Sequence, residues 1–231
     1  MRILVVGDGR MGKAIAALAV ERGHTVAAVL GAHDNQGGAG IAAFGSQADV
    51  AIEFTQPGAA VANLRACLAA GLPVVCGTTG WSSEQHAVEE SVWIGLGALL
   101  VAPNFSLGVA LLAALAEQAG LLFAAHPQYE AALVETHHSA KLDAPSGTAI
   151  VVRDAAERTL GRPIPTTSVR VGSVPGTHTL LFDGPFEQIV VSHEARDRRV
   201  FADGALRAAE WLVGRQGVFT MRDVLGMGRR P

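Results

Sequence analysis

The densest group of reactive side chains in the sequence runs Glu135-Thr136-His137-His138-Ser139-Ala140-Lys141-Leu142-Asp143-Ala144-Pro145-Ser146-Gly147-Thr148. It contains two adjacent histidines and Lys141, one of only two lysines in 231 residues; apart from Lys13, every other basic residue is arginine. On an extended backbone successive side chains point to opposite faces. His137 and His138 therefore serve different walls, and one can exchange a proton while the other lines a second surface. Lys141 adds a compact positive charge that can hold a carboxylate or assist proton transfer. Gly147 and Thr148, at a predicted helix start, offer backbone amides and a hydroxyl, which suits a carboxylate as well. Together these residues describe a pocket for a small anionic substrate. Two plainer readings stand beside it: the histidines as a structural pair or half of a zinc site, and Pro145-Ser146-Gly147-Thr148 as a helix start capped by Ser146 or Thr148. No second Cys or His cluster stands nearby at ligand spacing, so no metal is expected.

A second motif lies at the opposite end of the chain. An apolar run enters Gly7-Asp8-Gly9-Arg10-Met11-Gly12 and then a helical stretch. Glycines there allow a tight turn, close approach of a pyrophosphate to the backbone and tight helix packing, while the helix start attracts the anion. A mere connecting turn would use the same glycines. Phe54-Thr55, Gly77-Thr78-Thr79-Gly80 and Ala102-Pro103-Asn104-Phe105 follow three later apolar runs and add turn residues where a dinucleotide crosses an open sheet. The acid that would hold the adenosine ribose belongs about 20 residues onward, where the sequence reads Gly31-Ala32-His33-Asp34. Asp34 fits that role or an ordinary loop, His33 could face a 2′-phosphate, and the choice between NAD and NADP stays open.

These residues need elements to position them. Ile3–Val6, Val26–Leu30, Val50–Phe54, Val74–Cys76 and Leu99–Ala102 read as buried strands, with helices beginning near Arg10, Pro57 and Ser82; this alternation predicts a parallel α/β sheet. From residue 106 the pattern changes. A helix over Leu107–Ala119 is followed by strands at Ala131–Thr136, Thr167–Val171, Thr177–Phe182 and Glu187–His193, with a helix at Thr148–Thr159, which predicts a mixed or antiparallel sheet. A last helix near Gly204–Val213 and the tail Phe219–Leu225 could return to the first domain. The glycine-rich connection from 31 to 49 reads as a short loop, and the apolar stretch Gly108–Ala125 as a buried amphipathic helix. The expected architecture is α/β: a Rossmann-like dinucleotide-binding domain, 1–105 with about 205–231, and an α+β domain, 106–204.

Composition sets the outer bounds. With 18 basic and 21 acidic residues the net charge is −3, which lacks the cationic footprint of nucleic-acid or membrane-surface binding. Hydrophobic residues make up 49%, enough for a core without staples. Two cysteines, Cys67 and Cys76, suit a reducing cytoplasm, and Asp8, Arg10 and Lys13 interrupt the N-terminal apolar run before a signal peptide could form. Neither export nor a membrane span is expected.

The sequence closely resembles the dihydrodipicolinate reductase family, also called 4-hydroxy-tetrahydrodipicolinate reductases, of bacterial and plant lysine biosynthesis. The resemblance rests on Gly9-Arg10-Met11-Gly12, Phe54-Thr55, Gly77-Thr78-Thr79-Gly80, Asn104-Phe105-Ser106 and, above all, His137-His138 with Lys141 to Thr148. Arg170-Val171-Gly172, Gly176-Thr177-His178, His193-Glu194-Ala195, Phe201-Ala202 and Met221 to Gly226 extend it. It implies that His137 is the proton donor or acceptor, that Lys141 is catalytic, and that His138, Gly147 and Thr148 contact substrate carboxylates. It also implies NAD(P)H as cofactor, held by Gly7, Asp8, Gly9, Arg10, Met11, Gly12, Phe54, Gly77, Thr78, Thr79, Ala102, Pro103, Asn104 and Phe105. The implied reaction delivers hydride to a cyclic imine dicarboxylate, followed by a proton, in a homotetramer built through the second domain's sheet. A different two-domain dehydrogenase acting on an amino or imino acid, or a silent dinucleotide sensor, would share the glycine turn.

Overall fold

A computed structural model describes residues 1–95 and 97–227. The chain divides into two compact units, one formed by 1–105 with 199–231 and the other by 106–198; residues 228–231 of the expected tail lie outside the described residues.

In the first unit, strands β1 (Arg2–Val6), β2 (Thr25–Leu30), β3 (Val50–Glu53), β4 (Val74–Cys76) and β5 (Ala98–Val101) alternate with helices α1 (Arg10–Glu21), α2 (Ala32–Asn35), α3 (Pro57–Ala69) and α4 (Gln85–Gly95). Ile3 to Val6 and Val50 to Ile52 have no exposed surface, as expected of parallel strands covered on both faces. Proline at the first position of α3 fixes φ for entry and loses only an amide that had no helical partner. The connection from 31 to 49 is not a simple loop. It holds α2 and a 3-10 segment, Gln36–Phe44, interrupted at Gly37 and Gly38, whose φ values are 70° and 105°. Ile41 is fully buried in the core with Leu4, Leu64 and Val74. Glycine and alanine carry too little apolar contrast for this segment to register as periodic.

The second unit begins with α5 (Leu107–Phe123), then β6 (Glu130–His137), α6 (Gly147–Leu160), β7 (Thr166–Arg170), β8 (Thr177–Asp183) and β9 (Gln188–Glu194). Its sheet order is β7-β6-β8-β9, with β6 and β7 parallel and the other pairs antiparallel. Leu112 and Ala116 of α5, Val152 and Ala156 of α6, and Leu133, Leu180 and Phe182 of the sheet form one core. Helix α5 continues four residues past the expected end at Ala119. At Gly120 the next helix, α6, comes close, with the Ala156 carbonyl and the Thr159 hydroxyl where a Cβ would stand. Nor is α5 buried throughout, since Leu111, Leu115 and Leu122 are 45%, 54% and 70% exposed.

The chain then returns to the first unit through α7 (Arg199–Leu212), β10 (Gly217–Phe219) and α8 (Met221–Val224). Helix α7 starts at Arg199 rather than near Gly204, because the charged run before Val200 hid its first turn. It buries Ala202, Ala205, Leu206, Ala208, Ala209 and Leu212. Strand β10 completes a six-stranded parallel sheet of order β10-β5-β4-β3-β1-β2; at three residues it is too short to stand out in a sequence pattern. Among the described residues no helix is long and apolar enough to cross a membrane.

Candidate active site

In the first unit, backbone hydrogen bonds carry the sheet one residue past its strand ends. The amide of Gly7 donates to Leu30 O, Phe54 to Val6 O, Gly77 to Glu53 O and Ala102 to Cys76 O, at 2.8 to 3.2 Å. Gly7, Phe54, Gly77 and Ala102 thus stand side by side on one rim. The rim includes the β1/β3 boundary, where the strand order reverses and dinucleotides bind in sheets of this kind. The glycines are sterically required. A Cβ on Gly7, whose φ is 113°, would run into the Phe54 carbonyl, and one on Gly12 into the Gly7 carbonyl; one on Gly77 would meet the Phe54 ring. Space beside Gly9, the residue that caps α1, is open. This is a cradle kept clear of side chains at a helix start, and it fits a pyrophosphate.

Other predicted rim residues divide by exposure. Asp8, Gly9, Arg10, Thr79 and Pro103 face solvent, Met11 and Asn104 are half-buried, and Thr78, Ala102 and Phe105 are buried. Phe105 packs on Phe54 with ring centroids 5.4 Å apart. Thr78 Oγ1 accepts from the Thr55 amide at 2.8 Å. Beneath the rim lies fully buried Glu53, which accepts from Thr55 Oγ1, from Asn63 Nδ2 at 3.3 Å and from Cys76 Sγ at 3.3 Å. Burial, with Glu53 nearby, pushes the Cys67 thiol up to about 12. Burial likewise raises that of Cys76, so both thiols stay protonated and inert.

In the second unit the chemistry is set by strand register. Glu135 stands opposite His178 and beside Ser168, and His178 stands opposite His193, so one row crosses the sheet on the helix-covered face. His137, two residues after Glu135, shares that face, while His138 turns to the other side and lies 3.3 Å from Arg198 Nη2. Glu135 has no exposed surface. Its Oε1 accepts from Arg170 Nη2 at 2.7 Å and from the Ser146 amide at 3.3 Å, and Oε2 rests against His137 Nδ1. Burial pushes this carboxyl up, but the hydrogen bonds from Arg170 and Ser168 outweigh it and hold the group down at about 2. Burial lowers His137 below its ordinary value against the pull of Glu135, and lowers His178, with His137 beside it, to about 4. A charged carboxylate facing Nδ1 fixes the ring hydrogen there and leaves Nε2 of neutral His137 as the acceptor. Gly176, with φ of 153°, passes close to that nitrogen, where a side chain would crowd it.

The loop after β6 completes the group. Lys141 Nζ donates to Asp143 at 2.7 and 2.9 Å, and the Gly147 amide also favours that carboxylate; with Lys141 as the larger cause, Asp143 lies below its ordinary range. Ser146 caps α6 by accepting from the Ala149 amide at 3.1 Å, and its Oγ lies 3.2 Å from His178 Nε2. Arg170 reaches over to the Asp143 carbonyl at 2.5 Å, tying the loop to β7. His137, His138, Lys141, Gly147 and Thr148 therefore belong to one end of this sheet. Glu135 had no role in the sequence reading, although its spacing two residues before His137, which puts both on one face of a strand, was the signal that could have found it. Asp143 stood in the same segment, and Arg170 and His178 in motifs of the resemblance, but none had a role attached, because strand register and loop closure decide what each one meets.

Glu135, His137 and His178 also place three possible ligand atoms within 4.8 Å of one another. Arg170 already pairs with the Glu135 carboxylate at 2.7 Å, and His178 Nε2 lies 3.2 Å from Ser146 Oγ. Glu135 and His178 thus already have protein partners, Arg170 for the one and Ser146 for the other.

Comparison with known proteins adds an independent line. Residues 1–105 match the family model "Dihydrodipicolinate reductase, N-terminus" and residues 108–225 match "Dihydrodipicolinate reductase, C-terminus". A 4-hydroxy-tetrahydrodipicolinate reductase of Rhodopseudomonas palustris (strain BisA53) is 38% identical over 269 aligned positions, covering 99% of this chain and 97% of its own. That alignment is longer than the 231-residue chain, so the relative carries segments this chain lacks. The enzyme of the same name from Methanosarcina mazei is 37% identical over 199 positions, 79% of this chain and 74% of its own. Among solved structures, the dipicolinate-bound dihydrodipicolinate reductase from Paenisporosarcina sp. TG-14 superposes with a TM-score of 0.80 at 22% identity, covering 95% of this chain and 97% of its own. The scyllo-inositol dehydrogenase of Lactobacillus casei shares the fold at a TM-score of 0.57 and 11% identity, covering 97% and 92%. With both halves of the family model matched along nearly its whole length, the chain belongs to the dihydrodipicolinate reductase family.

Proposed function

We propose that this chain is an NAD(P)H-dependent reductase that converts 4-hydroxy-tetrahydrodipicolinate or dihydrodipicolinate to tetrahydrodipicolinate on the diaminopimelate route to lysine. The observation that carries this reading is the grouping of a carboxylate-binding loop with a proton-exchanging histidine at one sheet end. Lys141 and the Gly147 amide already hold the carboxylate of Asp143, which is the chemistry a substrate carboxylate needs. His137 and Lys141 are the catalytic pair, and His138, Gly147 and Thr148 bind the substrate carboxylates. The first unit is the dinucleotide-binding domain, with the cofactor held by Gly7 to Gly12, Phe54, Gly77, Thr78, Thr79 and Ala102 to Phe105. Bound NAD(P)H supplies the hydride.

The protein's own work is electrostatic and geometric. Glu135 orients the His137 ring through Nδ1, so that Nε2 is the atom exchanging a proton. Lys141 balances the substrate's negative charge and feeds a proton toward the carbon next to the reduced one. A positioned acid of this kind contributes about 10²–10⁴-fold. The assembly is a cytoplasmic homotetramer, and the sheet face opposite α5 and α6 is the surface that supports it. That face carries Val169 and Val190, 38% and 50% exposed, with half-buried Val134 and Leu181.

Lys141→Ala tests the reading. Turnover of freshly made substrate should fall by about 10²–10⁴-fold while nicotinamide-nucleotide binding, followed by fluorescence titration, is retained. Full activity in that variant would overturn the assignment.

A further inference from the structure

In dinucleotide-binding sheets of this topology the adenosine ribose is gripped by an acidic side chain at the end of the second strand. Here that strand ends in Leu30-Gly31, and Gly31 has no side chain to offer. The position is nevertheless not empty of charge. The Gly7 amide donates to Leu30 O at 2.8 Å, which ties the phosphate turn to the end of β2. The next residue, Asp8, then lays its carboxylate over Gly31: a Cβ built on Gly31 would lie 2.7 Å from Oδ2 and 2.9 Å from Cγ of Asp8. Gly31 has an ordinary φ of −78° as the residue capping α2, so no backbone strain demands glycine there. The glycine leaves room for the carboxylate of Asp8.

The first acid in the chain after β2 is Asp34. Asp34 is 64% exposed and lies 3.3 Å from Nδ1 of His33, itself 97% exposed, on α2. No lysine or arginine occurs between Arg22 and Arg65, so the segment following β2 offers no guanidinium or ammonium to a 2′-phosphate.

We infer that Asp8 is the cofactor-specificity residue: reaching from the phosphate turn to the end of β2, it accepts hydrogen bonds from the adenosine 2′,3′-diol and repels a 2′-phosphate, so the enzyme uses NADH in preference to NADPH. This rests on the cofactor assignment proposed above. A carboxylate facing a diol is satisfied by two donors, whereas facing a phosphate it meets like charge in the same space.

Direct binding tests it without turnover. Dissociation constants for NADH and NADPH are measured by fluorescence titration on the whole protein, on Asp8→Asn and on Asp34→Asn. The wild-type protein should bind NADH about tenfold or more tightly than NADPH. Asp8→Asn, a substitution at a solvent-facing site, should bring the two constants within about twofold, mainly through tighter NADPH binding, while Asp34→Asn keeps the wild-type ratio. A wild-type preference for NADPH would overturn the inference. So would an unchanged ratio in Asp8→Asn, or a ratio that responds to Asp34→Asn in its place; in each of these cases both nucleotides still bind and the cofactor assignment survives. Binding of neither nucleotide to the wild-type protein would overturn both.

Discussion

Replacing Glu135 with glutamine removes one negative charge from a group that has no exposed surface and is gripped by Arg170, the Ser146 amide and His137. Its carboxyl lies at about 2 in the folded protein against 4.5 for the free group, and each unit corresponds to about 1.36 kcal/mol. Because the folded value is depressed, the charged form stabilises the fold above the unfolded value, and this contribution drains away as the pH falls toward the folded one. The charge is therefore worth about 3 kcal/mol at neutral pH and about 2 kcal/mol at pH 3.5. Urea denaturation of the wild-type and Glu135→Gln proteins across this range should give a stability gap that narrows on acidification, with an unchanged slope. Either of two results would refute the reasoning: a gap well under 1 kcal/mol at pH 7, or one that stays constant between pH 5.5 and 3.5. The first would mean that Glu135 is not ionised where it sits, and the second that the lost stability comes from packing rather than charge.

Two glycines give further tests. Gly12→Ala puts a methyl group into the Gly7 carbonyl, so the phosphate turn must move; NADH affinity should drop about tenfold or more, and unaltered binding would show that the cradle is not the nucleotide site. Gly120→Ala adds helix propensity worth up to about 1 kcal/mol but drives the methyl into the Ala156 carbonyl and Thr159 hydroxyl. Overpacking there should cost about 1–3 kcal/mol, so the net change in urea midpoint should be downward, and a stabilised variant would contradict the close α5/α6 approach.

Features carried by contiguous residues were legible in the sequence. The strand-to-helix turn at Gly7 to Gly12, the alternation that places β1 to β5 in one parallel sheet, and the segment from His137 to Thr148 all express themselves within a few residues of chain, where period and spacing are visible. Residues 32 to 44 and β10 were harder, the first because glycine and alanine blur the pattern and the second because three residues carry none.

Contiguous motifs and strand–helix alternation were thus enough to point to the family and to an α/β architecture with a parallel and a mixed sheet, as the family matches and the fold bear out. What surrounds the histidine, lysine and glycine positions follows from the folded chain alone. Glu135 meets Arg170 and His178 because three strands pair in one register, and Asp8 reaches Gly31 because β1 and β2 are neighbours. In both cases the chemistry depends on the distance between residues remote along the chain, which strand pairing sets and local sequence does not encode.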